Sequence, residues 1–437
     1  MKSRRTFLKA LPVAAATAAL TQPLKNHARA AAGERLRIAM IGTGGMGMNH
    51  VRTLCQRQDV EFAWVIDADI SRAQAAAKII QESLGQAPKV GQDLRAAVDD
   101  SSVRACFMAT PDHWHAPGTI LAADAGKPVY VEKPCSHNLR EGRLMIEAAT
   151  RNGVPIQVGT QSRSTPHVRE VVEKIRGGII GEVLVAKAWN SQKRADHGKQ
   201  PPSDPPAELD YEAWLGPVPA VPFKRTYHPA HWRWFYHFGA GDIGNDGVHD
   251  IDIARWGLGV ETHPDRIQAM GEKLFFADDQ EWPDTLYCTF GYTLPDGKKR
   301  QLIYEQRIWS PYMQEGEENG CAWYGTEGMI VGSKRSGWRI FGPKNQAVSE
   351  ISANGVDLAA HHDNFIRSVR GEANAPLHAG IDTNHYSSAL CHLANIAVRT
   401  GRTLSFLPPD ERFKDDPEAD KLLSRAYRDH WAAPKGV

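Results

Sequence analysis

Paired cysteines are missing from this sequence. Its six, Cys55, Cys106, Cys135, Cys288, Cys321 and Cys391, stand far apart and form no Cys-x-x-Cys. That spacing argues against a zinc ribbon, an iron–sulfur site and a disulfide scaffold. An excess of one charge is missing too. Lys and Arg number 52 against 51 Asp and Glu, for a net charge of +1, which leaves no basic surplus for nucleic acid or an anionic membrane surface. Long apolar runs are also scarce. The alanine-rich stretch at residues 11–20 is about half of what a bilayer-crossing helix needs, so stable membrane insertion is not expected. What is present, 42% apolar and 24% charged residues over 437 positions, suits a globular chain long enough for two domains.

The N-terminus carries Arg4-Arg5, then the short apolar stretch, then Ala28-Arg29-Ala30. Small residues two apart after a short apolar core fit a signal-peptidase site. The twin arginines in this setting resemble a twin-arginine (Tat) export signal over residues 1–30. The resemblance implies a soluble periplasmic or otherwise exported protein that crosses already folded, with its cofactor loaded. Folding in a reducing cytoplasm would leave all six cysteines as free, mostly buried thiols.

After the signal, residues 36–41 read as a buried strand that runs straight into Gly42-Thr43-Gly44-Gly45-Met46-Gly47. A bare Gly-x-Gly-x-x-Gly is weak, but here it follows a strand and opens a helix at 46–56. A second apolar run, 60–66, ends at Asp67, twenty residues beyond Gly47. The spacing fits a dinucleotide fingerprint. Gly42 permits the tight turn, Gly44 lets backbone reach a pyrophosphate, and Gly47 lets helix and strand approach. Asp67 would accept from the adenosine ribose hydroxyls and repel a 2′-phosphate, favouring NAD over NADP, although Arg72 lies nearby. The alternation goes on: helices at 71–84, 94–99, 117–125 and 139–152, with strands at 105–109, 129–132 and 156–159. That pattern predicts a parallel, doubly wound sheet over 36–160. Two of its strand ends carry Thr110-Pro111-Asp112-His113-Trp114-His115 and Glu132-Lys133-Pro134.

Those two strand ends, with matches at 244–256, at Gly325-Thr326-Glu327-Gly328 and at 361–404, resemble the Gfo/Idh/MocA oxidoreductases, a family that includes glucose–fructose oxidoreductase and inositol dehydrogenase. The likeness covers about residues 36–405. It implies an α/β Rossmann domain followed by an α+β domain with an open, mostly antiparallel sheet over 161–405. Lys133 matches the family's catalytic lysine and His249 its acid/base histidine. Thr110, Pro111, His115 and Glu132 fall, with Gly42, Thr43, Gly44, Gly45, Met46, Gly47, Asp67 and Lys133, where the family holds its dinucleotide. The family commonly has Asp where this chain has Asn245. Asn can orient a hydroxyl but cannot act as a base. Either Lys133 and His249 suffice, or Asp246, Asp250 or Asp252 takes over. We favour the first, with Asn245→Ala expected to cut turnover severely.

Between the domains' motifs lies an insertion, 192–238. Its end is rich in aromatics: Phe223, Tyr227, Trp232, Trp234, Phe235, Tyr236 and Phe238. Trp232, Trp234 and Tyr236, with Asp246, are candidates to hold a sugar, whose C–H faces suit flat rings. The alternative is that the aromatics pack the insertion onto the sheet or form a subunit interface. His228-x-x-His231 with Asp242 could ligate a metal, but the bulky neighbours speak against it, and no metal is expected. Strands are expected at 266–275, 285–292, 301–308, 321–324 and 329–332. In the tail, 406–437, a last helix is expected from 417 to 430, capped by Asp416.

These features predict an exported sugar or glycoside oxidoreductase with tightly bound NAD, acting on a small carbohydrate and assembling as a homodimer or homotetramer. Two other readings stay open. One is a redox-neutral glycosidase working by transient oxidation and elimination; the other is a sugar-binding module that keeps NAD as structure. The near-zero charge is itself composite. The first thirty residues hold six basic groups and no acid, so taking six positive charges from +1 leaves about −5 for the remainder.

Overall fold

The structure is a computed structural model that describes residues 34–373 and 375–436. The export signal expected at 1–30 lies outside the described residues. Strands β1 (Leu36–Ile41), β2 (Val60–Ile66), β3 (Lys89–Gly91), β4 (Ala105–Met108), β5 (Val129–Val131) and β6 (Ile156–Val158) form one sheet. All but the edge strand β3 are apolar almost throughout, as strands covered on both faces must be. All pair in parallel, in the order β3-β2-β1-β4-β5-β6. Helices α1 (Gly45–Leu54), α2 (Ile70–Leu84), α3 (Arg95–Val98), α4 (Asp112–Asp124) and α5 (Leu139–Asn152) belong to the crossovers. Local signals set several helix ends. Asp69 and Asn138 accept from the amides of Ser71 and Glu141, while Gly85 and Gly153 close α2 and α5 in the left-handed region. Strand order reverses between β1 and β4, and a ligand crevice opens at the carboxyl ends of such strands.

The second half begins with α6 (Pro166–Arg176), β7 (Val183–Asn190), α7 (Tyr211–Leu215) and α8 (Val248–Leu258). Strands β8 (Arg266–Glu272), β9 (Thr285–Thr293), β10 (Lys299–Arg307), β11 (Asn319–Gly325), β12 (Met329–Ser333), β13 (Gly337–Phe341) and β14 (Ala347–Ser352) follow. Then come α9 (Leu358–Val369), α10 (Ile381–Thr400), β15 (Leu404–Leu407), β16 (Arg412–Phe413) and α11 (Pro417–Asp420). The ten strands run in the order β14-β13-β12-β11-β7-β10-β9-β8-β15-β16. Strands β7 and β10 pair in parallel; among the described residues the sheet is otherwise antiparallel. Residues of α6, α8 and α10 share one buried core with it, which fixes α8 against β7 and β11. All six cysteines are free, and all but Cys55 are buried.

Three expectations need correction. The strand expected at 266–275 stops at Glu272, because the amides of Leu274, Phe275 and Phe276 turn to donate to the Asp284 carboxylate at 3.0, 2.9 and 2.9 Å. Helix α4 starts at Asp112, not at 117. Pro117 sits inside it and leaves the carbonyl of His113 without its helical donor; Arg425 Nη2 donates to that oxygen instead, at 2.7 Å. The tail helix expected over 417–430 is only α11 and one 3₁₀ turn, Lys421–Leu423. Beyond it, side-chain contacts outweigh helix propensity. Arg425 pairs with buried Glu141 at 2.7 Å, and Arg428 Nε donates to the carbonyl of Gly216 at 2.6 Å.

The insertion docks onto the parallel sheet's helices through main chain. Ile70 N donates to Glu208 O (3.0 Å) and Asp210 N to Ala68 O (2.9 Å). Trp114 Nε1 and His113 Nε2 both donate to Trp214 O, at 3.0 and 2.8 Å.

Candidate active site

Everything at the site hangs on the turn after β1. Gly42 has φ +85°, and a Cβ there would lie 2.6 Å from the main chain of Ala109. A Cβ on Gly47 would stand 2.1 Å from Gly42 O. Both positions therefore demand glycine for close packing. Gly44 and Gly45 differ: a Cβ on the former would meet only the end of the Arg72 side chain, at 3.2 Å, and one on the latter would meet nothing within 4 Å. Asp67, at the end of β2, accepts from Thr43 N (2.7 Å) and Thr43 Oγ1 (2.9 Å), which ties the turn to the carboxylate.

A cavity of about 730 Å³ runs from this turn to the second sheet's helices. Gly42, Gly44, Gly45, Met46, Asp67, Thr110, Pro111, His115, Glu132 and Lys133 line it, as do Trp232, Asn245, Asp246 and His249. The structure thus brings together most of the residues singled out in the sequence. Thr43 and Gly47 act behind the wall. Trp234 and Tyr236 do not reach it, against expectation. Trp234 is 4% exposed and packs with Phe223, Tyr227, Phe235 and Phe238 as the insertion's own core. Tyr236 faces away, against Trp282 at 4.4 Å and under the Arg399 guanidinium at 4.9 Å. Of the three candidates, Trp232 lines the cavity.

His115 is almost fully buried and spans two loops. Its Nδ1 lies 2.6 Å from Pro134 O and its Nε2 2.9 Å from Thr110 O. Burial holds its pKa below the ordinary value although both nitrogens face carbonyls. Glu132 is buried against His50 Nε2 (3.1 Å) and Gln161 Nε2 (3.1 Å). Burial alone would raise it, but the His50 hydrogen bond and nearby positive charge pull it down to about 2.

Lys133 crosses between the halves: its Nζ donates to Asn245 O at 2.6 Å. Asn245 stands in a wide π-helical turn, Ile243–Gly247, that leads into α8; such turns recur at functional sites. Its side-chain amide donates to Asp242 Oδ1 at 3.1 Å, so the contact with Lys133 is made by main chain. His249 follows in the first turn of α8. Burial, with the Lys133 and Lys334 ammonium groups beside it, pushes His249 down to about 3, leaving a neutral ring at neutral pH. Asp246 pairs with Arg194, and charge from Arg194 and Lys133 overrides burial to hold it well below the usual carboxylate range. Asp250 and Asp252, the other stand-ins considered, are engaged elsewhere: Asp250 with Lys334 (2.6 Å), Asp252 with Arg163 (2.8 Å).

Several cavity residues were not foreseen. Asp112, at the start of α4, is 4% exposed; burial raises its carboxyl to about 7 despite Lys133 and Arg233. Arg233 lies beside it, over the Trp232 ring at 4.5 Å. Asp210, Glu212 and Ala213 from the insertion, and His430 and Trp431 from the tail, also line the cavity. The aromatic pair at the end of a polar tail was the available signal. The metal idea at His228 and His231 finds no convergence: His228 Nε2 is 3.6 Å from Asp69, while the His231 ring lies tilted against His197 at 4.1 Å. Elsewhere His263 and His385 both meet Glu411 Oε1 at 2.8 Å. The Arg143 guanidinium grips the same carboxylate and stands as its cation.

The open backbone at Gly44 and Gly45, the unpartnered buried Thr110 Oγ1 and the size of the cavity fit a dinucleotide. A parallel sheet of this strand order, with that turn at its switch point, defines a Rossmann-type nucleotide-binding protein with a second α/β domain. The chain belongs to the Gfo/Idh/MocA oxidoreductase family: the family's NAD-binding Rossmann fold matches residues 36–160, and its C-terminal alpha/beta domain matches 171–288 and 316–433. It is 30% identical over 228 residues to inositol 2-dehydrogenase 2 of Saccharopolyspora erythraea, covering 52% of this chain and 55% of that one. To the rhizopine catabolism protein MocA of Rhizobium meliloti it is 25% identical over 343 residues, 78% and 88% of the two chains. The chain thus spans about half of the first relative and most of the second. In three dimensions it resembles the WlbA dehydrogenase from Bordetella pertussis, solved with NADH and UDP-GlcNAcA, with a TM-score of 0.63 at 19% identity over 86% and 99% of the chains. Among the described residues, no helix is long and apolar enough to cross a membrane.

Proposed function

We propose that this protein is an NAD-dependent dehydrogenase that oxidises a carbinol carbon of a sugar, inositol or glycoside and keeps its dinucleotide bound through turnover. The observation that carries this reading is the Lys133–Asn245 contact. It brings a lysine of the nucleotide-binding half and His249 of the second half to one cavity. NAD bound there supplies a hydride acceptor. The turn at Gly44 and Gly45 receives its phosphates, and Asp67 its adenosine ribose.

The chain's own groups handle the proton. Neutral His249 has a lone pair free to take the substrate's hydroxyl proton. Lys133, oriented by the Asn245 carbonyl, donates to the substrate oxygen. Asp246, fixed by Arg194, accepts from a neighbouring hydroxyl, and Trp232 offers a flat face to the sugar's C–H groups. The names of the relatives, an inositol dehydrogenase and a rhizopine catabolism protein, support a polyhydroxylated substrate. Export by the twin-arginine route is part of the reading and rests on Arg4-Arg5 with the short apolar stretch and small residues after them. Outside the cytoplasm free NAD is not expected, so a second carbonyl substrate would have to take the hydride back from the bound dinucleotide and leave as its alcohol before the next turnover.

Asp112 gives the redox-neutral reading one point of support. A carboxyl that keeps its proton near pH 7 can protonate a departing aglycone. Oxidation at one ring carbon acidifies its neighbour's C–H, elimination breaks the glycosidic bond, water adds across the double bond, and reduction restores the carbinol. Mass analysis of products from a glycoside panel separates the two: a keto-sugar supports the dehydrogenase, released aglycone without net redox change the glycosidase. Lys133→Met should lower either activity by at least about a thousandfold while dinucleotide is still recovered on denaturing the purified variant. Full activity in that variant would end this reading.

A further inference from the structure

The tail ends where the adenosine of the proposed dinucleotide would lie. Asp67 N donates to Gly91 O at 3.1 Å, so residues 92–95, just past β3, sit directly beside the ribose-binding carboxylate. Gln92, Asp93, Leu94 and Arg95 line this end of the cavity together with His430 and Trp431.

Arg95 is held flat from two sides. Asp93 takes its Nε at 2.9 Å and Nη2 at 2.5 Å, and the Trp431 ring lies 4.2 Å from its guanidinium carbon. His430 in turn packs on Trp431 at 4.8 Å.

Trp431 is 42% exposed, which is costly for so large an apolar ring. It is not exposed through slackness. Its stretch is anchored before it by Arg428, whose guanidinium donates to Gly216 O at 2.6 Å, and after it by Ala432, buried in the core of the parallel sheet. The ring is presented, not loose. An aromatic plane stacked with a planar cation, facing a cavity beside a ribose-binding carboxylate, matches the flat, electron-rich face of a purine.

We propose that Arg95 and Trp431 form the adenine-binding wall of the dinucleotide site, and that the tail thereby slows dinucleotide release. Both residues bind and position; neither takes part in hydride or proton transfer. The proposal rests on the dinucleotide reading and adds to it which residues retain the cofactor and at which end. Alternative ligands fit less well. A second phosphate at this wall would need a free cation, whereas Arg95 is already neutralised by Asp93. An apolar ligand would cover the Asp93–Arg95 ion pair and return no hydrogen bond for the water it displaces.

The test uses the full protein stripped of dinucleotide, titrated by calorimetry with AMP and, separately, with nicotinamide mononucleotide. Stopped-flow displacement of bound NADH measures release. Trp431→Ala and Arg95→Ala are each expected to weaken AMP at least about 10-fold and to speed NADH release by a similar factor. Nicotinamide mononucleotide binding should stay unchanged, which also certifies the fold of each variant. Unaltered AMP affinity and release rate in both variants would overturn the wall, as would equal losses for the two half-ligands. Failure of the unmodified protein to bind NAD at all would instead remove the dinucleotide reading.

Discussion

Asp112 is the residue whose charge state matters most at the site. Its carboxyl rises from 3.8 to about 7, chiefly by burial. A group that binds its proton more tightly when folded lends stability below its unfolded pKa and loses it as pH climbs through the folded value. The native state should therefore weaken between about pH 4 and 7 by a few kcal/mol from this group, at ~1.4 kcal/mol for each tenfold gain in proton affinity on folding. Asp112→Asn, neutral throughout, should lack that slope. Urea unfolding of both proteins across that range reads the difference, and identical slopes would refute it. The glycines divide in the same way. Gly47→Ala must push a methyl against Gly42 O, 2.1 Å away, and should cost roughly 1–3 kcal/mol in thermal unfolding. Gly45→Ala, with nothing near it, should leave the melting point alone and weaken only NAD binding.

At the level of elements, what the sequence revealed depended on burial. Strands β1, β2, β4, β5 and β6 were legible because sandwiched strands are apolar almost throughout; β3, an edge strand with no buried residue, was not foreseen. Strand β14 went unrecognised too: it has one buried residue in six, Ile351, and at a sheet edge polar residues carry no period. The site was legible where chemistry sits at strand ends, at Asp67, Thr110 and Lys133. It was not where distant segments meet. Nothing around Pro117 announces that Arg425 will satisfy the His113 carbonyl, and no spacing shows that Trp234 and Tyr236 turn from the cavity while Trp232 faces it. Arg425 is also the tail's main anchor. Its side chain is 10% exposed and Glu141, its partner, 0%. Arg425→Met leaves a buried carboxylate without its cation and should cost on the order of 3 kcal/mol, measurable by urea titration. A loss under about 1 kcal/mol would show that Tyr427, which donates to the same oxygen at 2.8 Å, suffices.

Over the whole molecule, one cavity is bounded by both sheets' helices, the insertion and the tail. A ligand filling it must stabilise all four together. Stripped protein should gain about 2.7 kcal/mol when NAD is supplied at a hundred times its dissociation constant. Calorimetric melting should show a single transition moving upward, and a shift confined to one of two transitions would contradict the shared cavity. The residual charge of about −5 outside the first thirty residues leaves the remainder of the chain mildly acidic.

Gly42 and Trp431 border the same space, yet nearly four hundred residues are synthesised between them. The ribosome finishes the nucleotide-binding sheet long before it releases the segment that walls that sheet's ligand. Nascent protein therefore passes through an interval in which the chamber stands open on one side, and loading can happen then without displacing anything. Arg425, Arg428 and Ala432, which anchor the tail, are made after the other walls of the cavity. Order of synthesis thus becomes order of assembly: receive first, enclose last. A fusion attached after residue 431 would weigh on that last step.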